Sequence, residues 1–273
     1  MTSLQRKLLE MMTWLDKYLR EQSLTYYVFN GTLLGAARHK GFIPWDDDLD
    51  IAMPRSDYAK LCESLKEPME HYVVESTTSD AEDFVYTFAK LYDTSTSMTE
   101  LLRKRICRGV YIDIFPLDGI GNNYKESVKN YKAIDRRNAF LMTRVCAYRK
   151  DRKWYKNLAL IVSRCIPSFL VNEKQMAIDI DKISQKYSYD DCKYVSYTTS
   201  VYRERDIHKR ELFGKPIELQ FENIKVLAPK HYDEILTDTY GDWRQLPPIE
   251  KRKTAHDFID LDLNKSYLNG KEK

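Results

Sequence analysis

The sequence predicts an α/β (α+β) chain in which a mixed-sheet core carries a helical subdomain. Three observations predict it. Over the first 118 residues, short runs rich in β-branched and aromatic residues alternate with stretches of helical period. From about 122 to 187 the pattern is helical and is interrupted at Pro167. Beyond that, strands return with a hairpin signature, followed by a last helix. Of the 273 residues 43% are hydrophobic and 31% charged, which supplies a sizeable core and argues against disorder. Nine Gly and nine Pro exclude collagen-like and linker-rich architectures.

Each element has its own signal. Leu4, Leu8, Met11, Leu15 and Leu19 form an i, i+4, i+7 stripe with charges between, predicting a core-packed helix over 3–22. TYYVFN (25–30) is a short strand, after which Gly31 opens the helical turn GTLLGAAR. Past the Lys40-Gly41 turn come FIPW, an acidic cluster and the strand DLDIAM (48–53). Pro54 suits the first position of the helix SDYAKLCESLKE. Strands are predicted at 71–75, 85–92 and 109–115, with Asp118, past Pro116, as a turn residue. A hairpin joins KPIELQF to NIKVLAP through Glu222-Asn223, a helix covers 229–240, and the tract GDWRQLPPIEKRKTAHDF follows. With no repeat or linker, residues 1–273 read as one domain: a core over 1–120, a helical insertion over 121–190 and a C-terminal α+β segment over 191–273 that completes the site.

The net charge of +3 is too balanced for a dedicated nucleic-acid binder. Cys62, Cys107, Cys146, Cys165 and Cys192 are scattered and contain no CxxC, which points to reduced thiols rather than a disulfide framework or a zinc site. No secretory segment and no run of 18 apolar residues is seen, so the chain is read as cytoplasmic.

Asp46, Asp47, Asp48 and Asp50 crowd into five positions. An arbitrary DDDxD run is most often a solvated loop. Here Phe42, Ile43, Trp45, Leu49, Ile51 and Met53 surround it, so the carboxylates border a core. In a strand Asp48 and Asp50 share one face and Leu49 and Ile51 the other. Two carboxylates beside apolar neighbours call for a cation, and a pair of Mg²⁺ or Mn²⁺ ions about 3.5–4 Å apart would satisfy them. An EF-hand fails, because its sixth and twelfth positions counted from Asp46 hold Ile51 and Asp57 rather than Gly and Glu. In YIDIFPLDGI, Asp113 lies opposite in parity to Ile112 and Ile114. It is the candidate third carboxylate. Gly31 and Thr32, after a strand and opening a helix, offer backbone N–H groups and a dipole suited to an anion.

The block FNGTLLGAARHKGFIPWDDDLDIAMPRSDY closely resembles the signature of the LicD family of phosphotransferases, shared with fukutin-type proteins. YIDIFPLDGI and YGDWRQLPPIEKRKTAH resemble later blocks of that family in the same order, so the likeness spans positions 29 to 256. The resemblance implies a nucleotidyltransferase-like fold, with Gly31-Thr32, Asp48/Asp50 and Asp113 in the places of its G[GS], DxD and later Asp. Thr32 in place of Ser keeps the hydroxyl. It implies transfer of phosphocholine from CDP-choline to a sugar hydroxyl of teichoic acid, lipopolysaccharide or capsule, with release of CMP. Ribitol phosphate and glycerol phosphate are the other cargoes of the class.

On that basis Asp48, Asp50 and Asp113 are the expected metal ligands and catalytic residues, with Mg²⁺ or Mn²⁺ as cofactor. Arg38 and His39, between the glycine turn and the acids, and Lys251, Arg252 and His256 in the last block are expected to contact the donor diphosphate. Arg252 and His256 share a face if their tract is helical. Two alternatives are kept: nucleotidyl transfer from an NTP with release of pyrophosphate, and a non-catalytic glycan- or membrane-binding scaffold. The 20 Tyr and four Trp, Trp45, Tyr86, Tyr92 and Tyr111 among them, are too many to single out a choline cage.

Residues 129–156 carry ten Lys/Arg against two acids, net +8, and the apolar run 158–171 follows. The plainer reading is a solvated helix beside a buried one. The alternative is peripheral docking on the inner membrane leaflet, where a lipid-linked glycan acceptor would lie.

Overall fold

Thr2 starts the first helix with a capping box. Its hydroxyl accepts the Gln5 N–H at 3.1 Å, and the Gln5 side chain accepts the Thr2 N–H at 2.9 Å. The computed structural model describes residues 1–150, 152–167, 170–254 and 258–270. In chain order the elements are α1 (Ser3–Glu21), β1 (Tyr27–Val28), α2 (Asn30–His39), β2 (Asp50–Pro54), α3 (Arg55–Ser64), β3 (Tyr72–Glu75), β4 (Ala89–Asp93), β5 (Ser97–Leu101), β6 (Arg105–Arg108) and β7 (Tyr111–Gly121). Then come α4 (Tyr124–Val145), α5 (Trp154–Arg164), α6 (Glu173–Ser184), β8 (Tyr194–Ser196), β9 (His208–Lys209), β10 (Ile217–Phe221), β11 (Ile224–Ala228), α7 (Tyr232–Tyr240) and β12 (Phe258–Asp262). The fold is mixed α/β, as the patterning predicts.

The main sheet runs β1-β2-β7-β4-β3, and β8 continues beside β7 and pairs with β9. Only the β2–β7 pairing is parallel among these neighbours. The predicted α1 stripe is buried throughout, and it packs in one core with the sheet and with Phe213, Phe221, Ile235 and Trp243 from the C-terminal segment. Removing such a buried leucine typically costs about 2–5 kcal/mol. A smaller core of Ile134, Leu141, Val145, Ala177 and Ile180 joins α4 to α6.

Asp118 is not a turn residue. It lies inside β7 and is 1% exposed. Pro116 does not end that strand, because alternate residues of β7 direct their N–H groups to opposite sides. Asp113 donates toward the β2 side, to the Leu49 carbonyl at 3.0 Å, so the missing N–H of Pro116 falls on the other side. There β4 has ended opposite Ile114 and β8 begins opposite Asp118. The strand crosses its own gap.

Arg55 explains the buried carboxylate. Its Nε and Nη2 bond both oxygens of Asp118 at 2.7 and 2.6 Å, and Nη1 bonds Asp181 of α6 at 2.8 Å. This fork locks α3, β7 and the helical segment together.

Other expectations shift. Strand 48–53 begins at Asp50, and Pro54 ends β2 as the N-cap residue of α3. The strand expected over 85–92 starts at Ala89. Strands β5, β6 and β12, which form a separate antiparallel sheet, have no counterpart in the sequence reading, because charged residues interrupt their alternation. The hairpin turn at Glu222-Asn223 is as expected, with Glu222 at φ 52°. The run 158–171 was expected to be buried; α5 instead buries Asn157, Leu160 and Ser163 and turns its larger apolar residues outward. Residues 168 and 169 of that run lie outside the described residues.

Candidate active site

The register of the main sheet builds a charged row into an apolar interior. Asp50 of β2 pairs with Asp113 of β7, and Asp113 pairs with Lys90 of β4. In paired strands, residues in register project to one face. Lys90, Asp113 and Asp50 therefore stand side by side across three strands, 2%, 8% and 7% exposed. Lys90 Nζ lies 3.0 Å from Asp113 Oδ1 and 3.3 Å from Glu100 Oε1, and 3.3 Å from the Tyr111 ring centroid. Glu100 is held in turn by the Tyr86 hydroxyl at 2.9 Å.

Asp46, Asp47 and Asp48 precede β2 in an irregular segment that follows a turn, with carboxylate oxygens within 4.8 Å of one another. Burial pushes the Asp50 carboxyl well above the usual carboxylate range, and the charges of Asp48, Asp113 and Asp46 push it further, while the Asn30 side chain opposes. Burial likewise raises Asp113, against the pull of Lys90, to about 6. Asp48, Asp50 and Asp113 thus lie within one electrostatic neighbourhood, together with Asp46. A cluster of carboxylate oxygens in a desolvated setting is a hard-ligand set, suited to Mg²⁺ or Mn²⁺ rather than to a soft metal.

The start of α2 closes one side. Its N-terminal turn has no side-chain cap, and Gly31 within it lies against Asp46. A methyl group on Gly31 would sit 2.7 Å from Asp46 Oδ2, so any side chain there would displace the Asp46 carboxylate. Thr32 is buried, and its Oγ1 accepts the Asp50 N–H at 2.8 Å. Thr32 therefore fixes the first residue of β2. Gly35 allows α2 to approach the Gly41 carbonyl, 2.5 Å from where a Cβ would be.

The basic residues converge from distant parts of the chain. Arg38 donates from Nη1 to the carbonyls of Trp243 and Gln245 at 2.8 and 3.2 Å, and from Nε to His39 Nε2 at 3.0 Å. His39 accepts at Nε2 and has its pKa lowered by burial and then by Arg38, so it is neutral with its proton on Nδ1. Trp45 meets the His39 ring edge-on at 6.3 Å, and Arg252 lies 5.5 Å from the Trp45 ring centroid. The structure thus brings Arg38, His39 and Arg252 together around Trp45, next to Asp46. Lys251 closes a 3₁₀ turn (Ile249–Lys251) and is exposed. The tract is not an α-helix at Arg252, where the backbone leaves the 3₁₀ turn at φ −83° and ψ 72°. His256 lies outside the described residues.

Four residues fall outside the assignments made from sequence. Asp46 was noted in the acid run but not assigned. Lys90 carried the same signal as Asp113, one charge in an apolar strand. Tyr202 and Tyr240, joined hydroxyl to hydroxyl at 3.0 Å, carried none, although both lie in the field of Asp50.

Comparison with known proteins places the chain in a family. The family model described as LicD/FKTN/FKRP, nucleotidyltransferase domain, matches residues 23–143, which include the α2 turn, the acid run, Lys90 and Asp113. The chain is 30% identical over 239 residues to the lipopolysaccharide cholinephosphotransferase LicD of Haemophilus influenzae, covering 85% of this chain and 87% of that protein. It is also 41% identical over 58 residues to the uncharacterised protein RP689 of Rickettsia prowazekii, covering 21% and 22% of the two chains. With a shared domain and a likeness that runs almost end to end, this chain belongs to the LicD family of phosphotransferases.

Proposed function

We propose that the protein is a metal-dependent transferase that moves phosphocholine from CDP-choline to a sugar hydroxyl of a cell-surface glycan, lipopolysaccharide by its relative's name, and releases CMP. The observation that carries this reading is the carboxylate cluster of Asp46, Asp48, Asp50 and Asp113 beside an uncapped helix N-terminus. Asp48, Asp50 and Asp113, joined by Asp46, would hold the cation. Bound Mg²⁺ or Mn²⁺ supplies neutralisation of charge on the donor diphosphate.

The acceptor oxygen forms a bond to the distal phosphorus as the bond from that phosphorus to the CMP oxygen breaks. Asp113, with a pKa of about 6, is ionised at neutral pH and takes the acceptor's proton. The α2 amides and Arg252 favour the anionic donor, and Arg38 holds the C-terminal tract that carries Arg252 against α2. The sheet fixes Asp50 and Asp113 in register, so positioning and electrostatics carry the rate.

Incubation with CDP-choline, a glycan acceptor and Mg²⁺ or Mn²⁺ tests the proposal, and CMP release is the readout. Asp48→Ala and Asp50→Ala abolish turnover with the fold intact. Choline-independent release of pyrophosphate from CTP would replace this reading with nucleotidyl transfer, and release from CDP-ribitol or CDP-glycerol alone would change the cargo.

A further inference from the structure

Helix α5 is amphipathic the wrong way round. Its inward face presents Asn157, Leu160 and Ser163. Both polar ones are held locally: the Asn157 amide donates to the Arg149 carbonyl at 2.8 Å, although its Oδ1 finds no hydrogen-bond partner among the described residues, and Ser163 donates to the carbonyls of Leu160 and Thr143 at 2.9 and 3.0 Å. Arg144 of α4 bonds the Ser163 carbonyl at 2.7 Å, which ties α5 down through polar contacts. Its outward face presents Trp154, Leu158, Ile161 and Val162, at i, i+4, i+7 and i+8, exposed by 76%, 48%, 51% and 59%. Tyr155, next to Trp154 on the same helix, is exposed as well. Scattered exposed apolar residues need no explanation, but a continuous stripe opposite a polar inner face does.

The charges around it select the occupant. Residues 147–167 contain six Lys/Arg and one acid, net +5, and α5 itself has no acidic residue. Lys150, Lys153 and Lys156 are exposed at or near its N-terminal end. A two-fold dimer through this face would set the same cationic patch against itself. An anionic bilayer surface instead accepts the apolar stripe among its acyl chains and the lysines among its headgroups, with Trp154 at the boundary. No described helix is long and apolar enough to cross a membrane. We propose that α5 lies in the plane of an anionic lipid surface and docks the protein there.

Flotation with vesicles of phosphatidylcholine, alone or mixed equally with phosphatidylglycerol, tests this with no turnover involved, so its outcome is independent of the transferase reading. The protein floats with the anionic vesicles, less so as salt rises, and Trp154 emission shifts to the blue, a change absent from Trp154→Phe. The pair Leu158→Glu and Ile161→Glu lowers the bound fraction at least about tenfold, and replacing Lys150, Lys153 and Lys156 by Ser lowers it in anionic vesicles. Both sets are exposed positions, and an unchanged melting temperature excludes misfolding. Absence of flotation at low salt, or equal flotation with neutral vesicles, overturns the proposal. So does a dimer in light scattering that Leu158→Glu and Ile161→Glu dissociate while vesicles stay unbound.

Discussion

Lys90 and Asp113 face each other across β4 and β7 with Nζ 3.0 Å from Oδ1, both inside the sheet. The pairing decides which end of the acid cluster is neutralised by the protein itself. Asp113 has a resident cation on one oxygen, whereas Asp50, one strand further on, is surrounded by carboxylates. The resident cation is therefore shared by Asp113 and Glu100 and does not extend to Asp50.

Lys90→Met removes the compensation without removing volume. Breaking a buried pair from one side costs about 3–5 kcal/mol, since Asp113 and Glu100 keep their burial and lose their partner. Urea unfolding should register that loss, and Lys90→Met with Glu100→Gln should recover part of it. In turnover, kcat for CMP release falls more than the KM for donor rises, because Lys90 orients Asp113 and does not touch the donor.

Asp50→Asn should have the opposite effect on stability. Asp50 is buried among like charges, so neutralising it relieves repulsion in the metal-free protein. The expected gain is about 1 kcal/mol, or about 2–4 °C in Tm. Activity falls by at least about a hundredfold, as for loss of an essential electrostatic group. Calorimetry without divalent metal, set beside a CMP-release assay, checks both halves; a less stable, inactive variant would mean that Asp50 is chiefly structural.

Local periodicity made much of this legible. The α1 stripe, the α2 turn, the β10–β11 hairpin and the parity of Asp50 and Asp113 all follow from residue spacing, because each depends on neighbours a few positions away. Strand register is different. Nothing near Lys90 in sequence says that it will lie opposite Asp113, 23 positions on, and nothing near Trp45 says that Arg252 will reach its ring. Asp118 was misplaced for the same reason: Pro116 is a strand breaker unless one neighbouring strand stops there and another starts, a property of the whole sheet. For helix α5 the sequence leaves burial and an outward docking face both open, because an apolar run normally seeks the interior and only the fold shows which side faces in.

Asp118→Ala leaves the Arg55 guanidinium with Asp181 alone at 2.8 Å and opens a buried gap in β7. A cost of about 3–5 kcal/mol is expected. Because the fork also holds α6, hydrogen exchange in α6 should quicken along with that in β7. Asp118→Asn retains one acceptor oxygen and loses less. If the Ala variant unfolded at the wild-type urea midpoint, the fork would not bear on the docking of the helical segment.

His208 sets a pH dependence away from the acid cluster. Burial on β9 lowers its pKa, but Asp206 near Nε2 at 3.8 Å and Asp238 near Nδ1 at 3.5 Å outweigh that and raise it overall. These distances are long for hydrogen bonds and short for charges, so the attraction is mainly coulombic. Asp206 is further fixed by hydroxyl donation from Ser200 and from Thr239 at 3.2 Å. The protonated imidazole is thus favoured in the folded state over the unfolded one, where the pKa is about 6.5. Its stabilisation is complete below that value and is lost as pH rises through the higher folded pKa. The urea midpoint of the wild type, relative to that of His208→Gln, should be highest in mildly acidic buffer and decline as pH rises above neutral. A difference between the two proteins that stays flat from mildly acidic to mildly alkaline pH would show that His208 is buried neutral, with Asp206 and Asp238 too well screened to charge it.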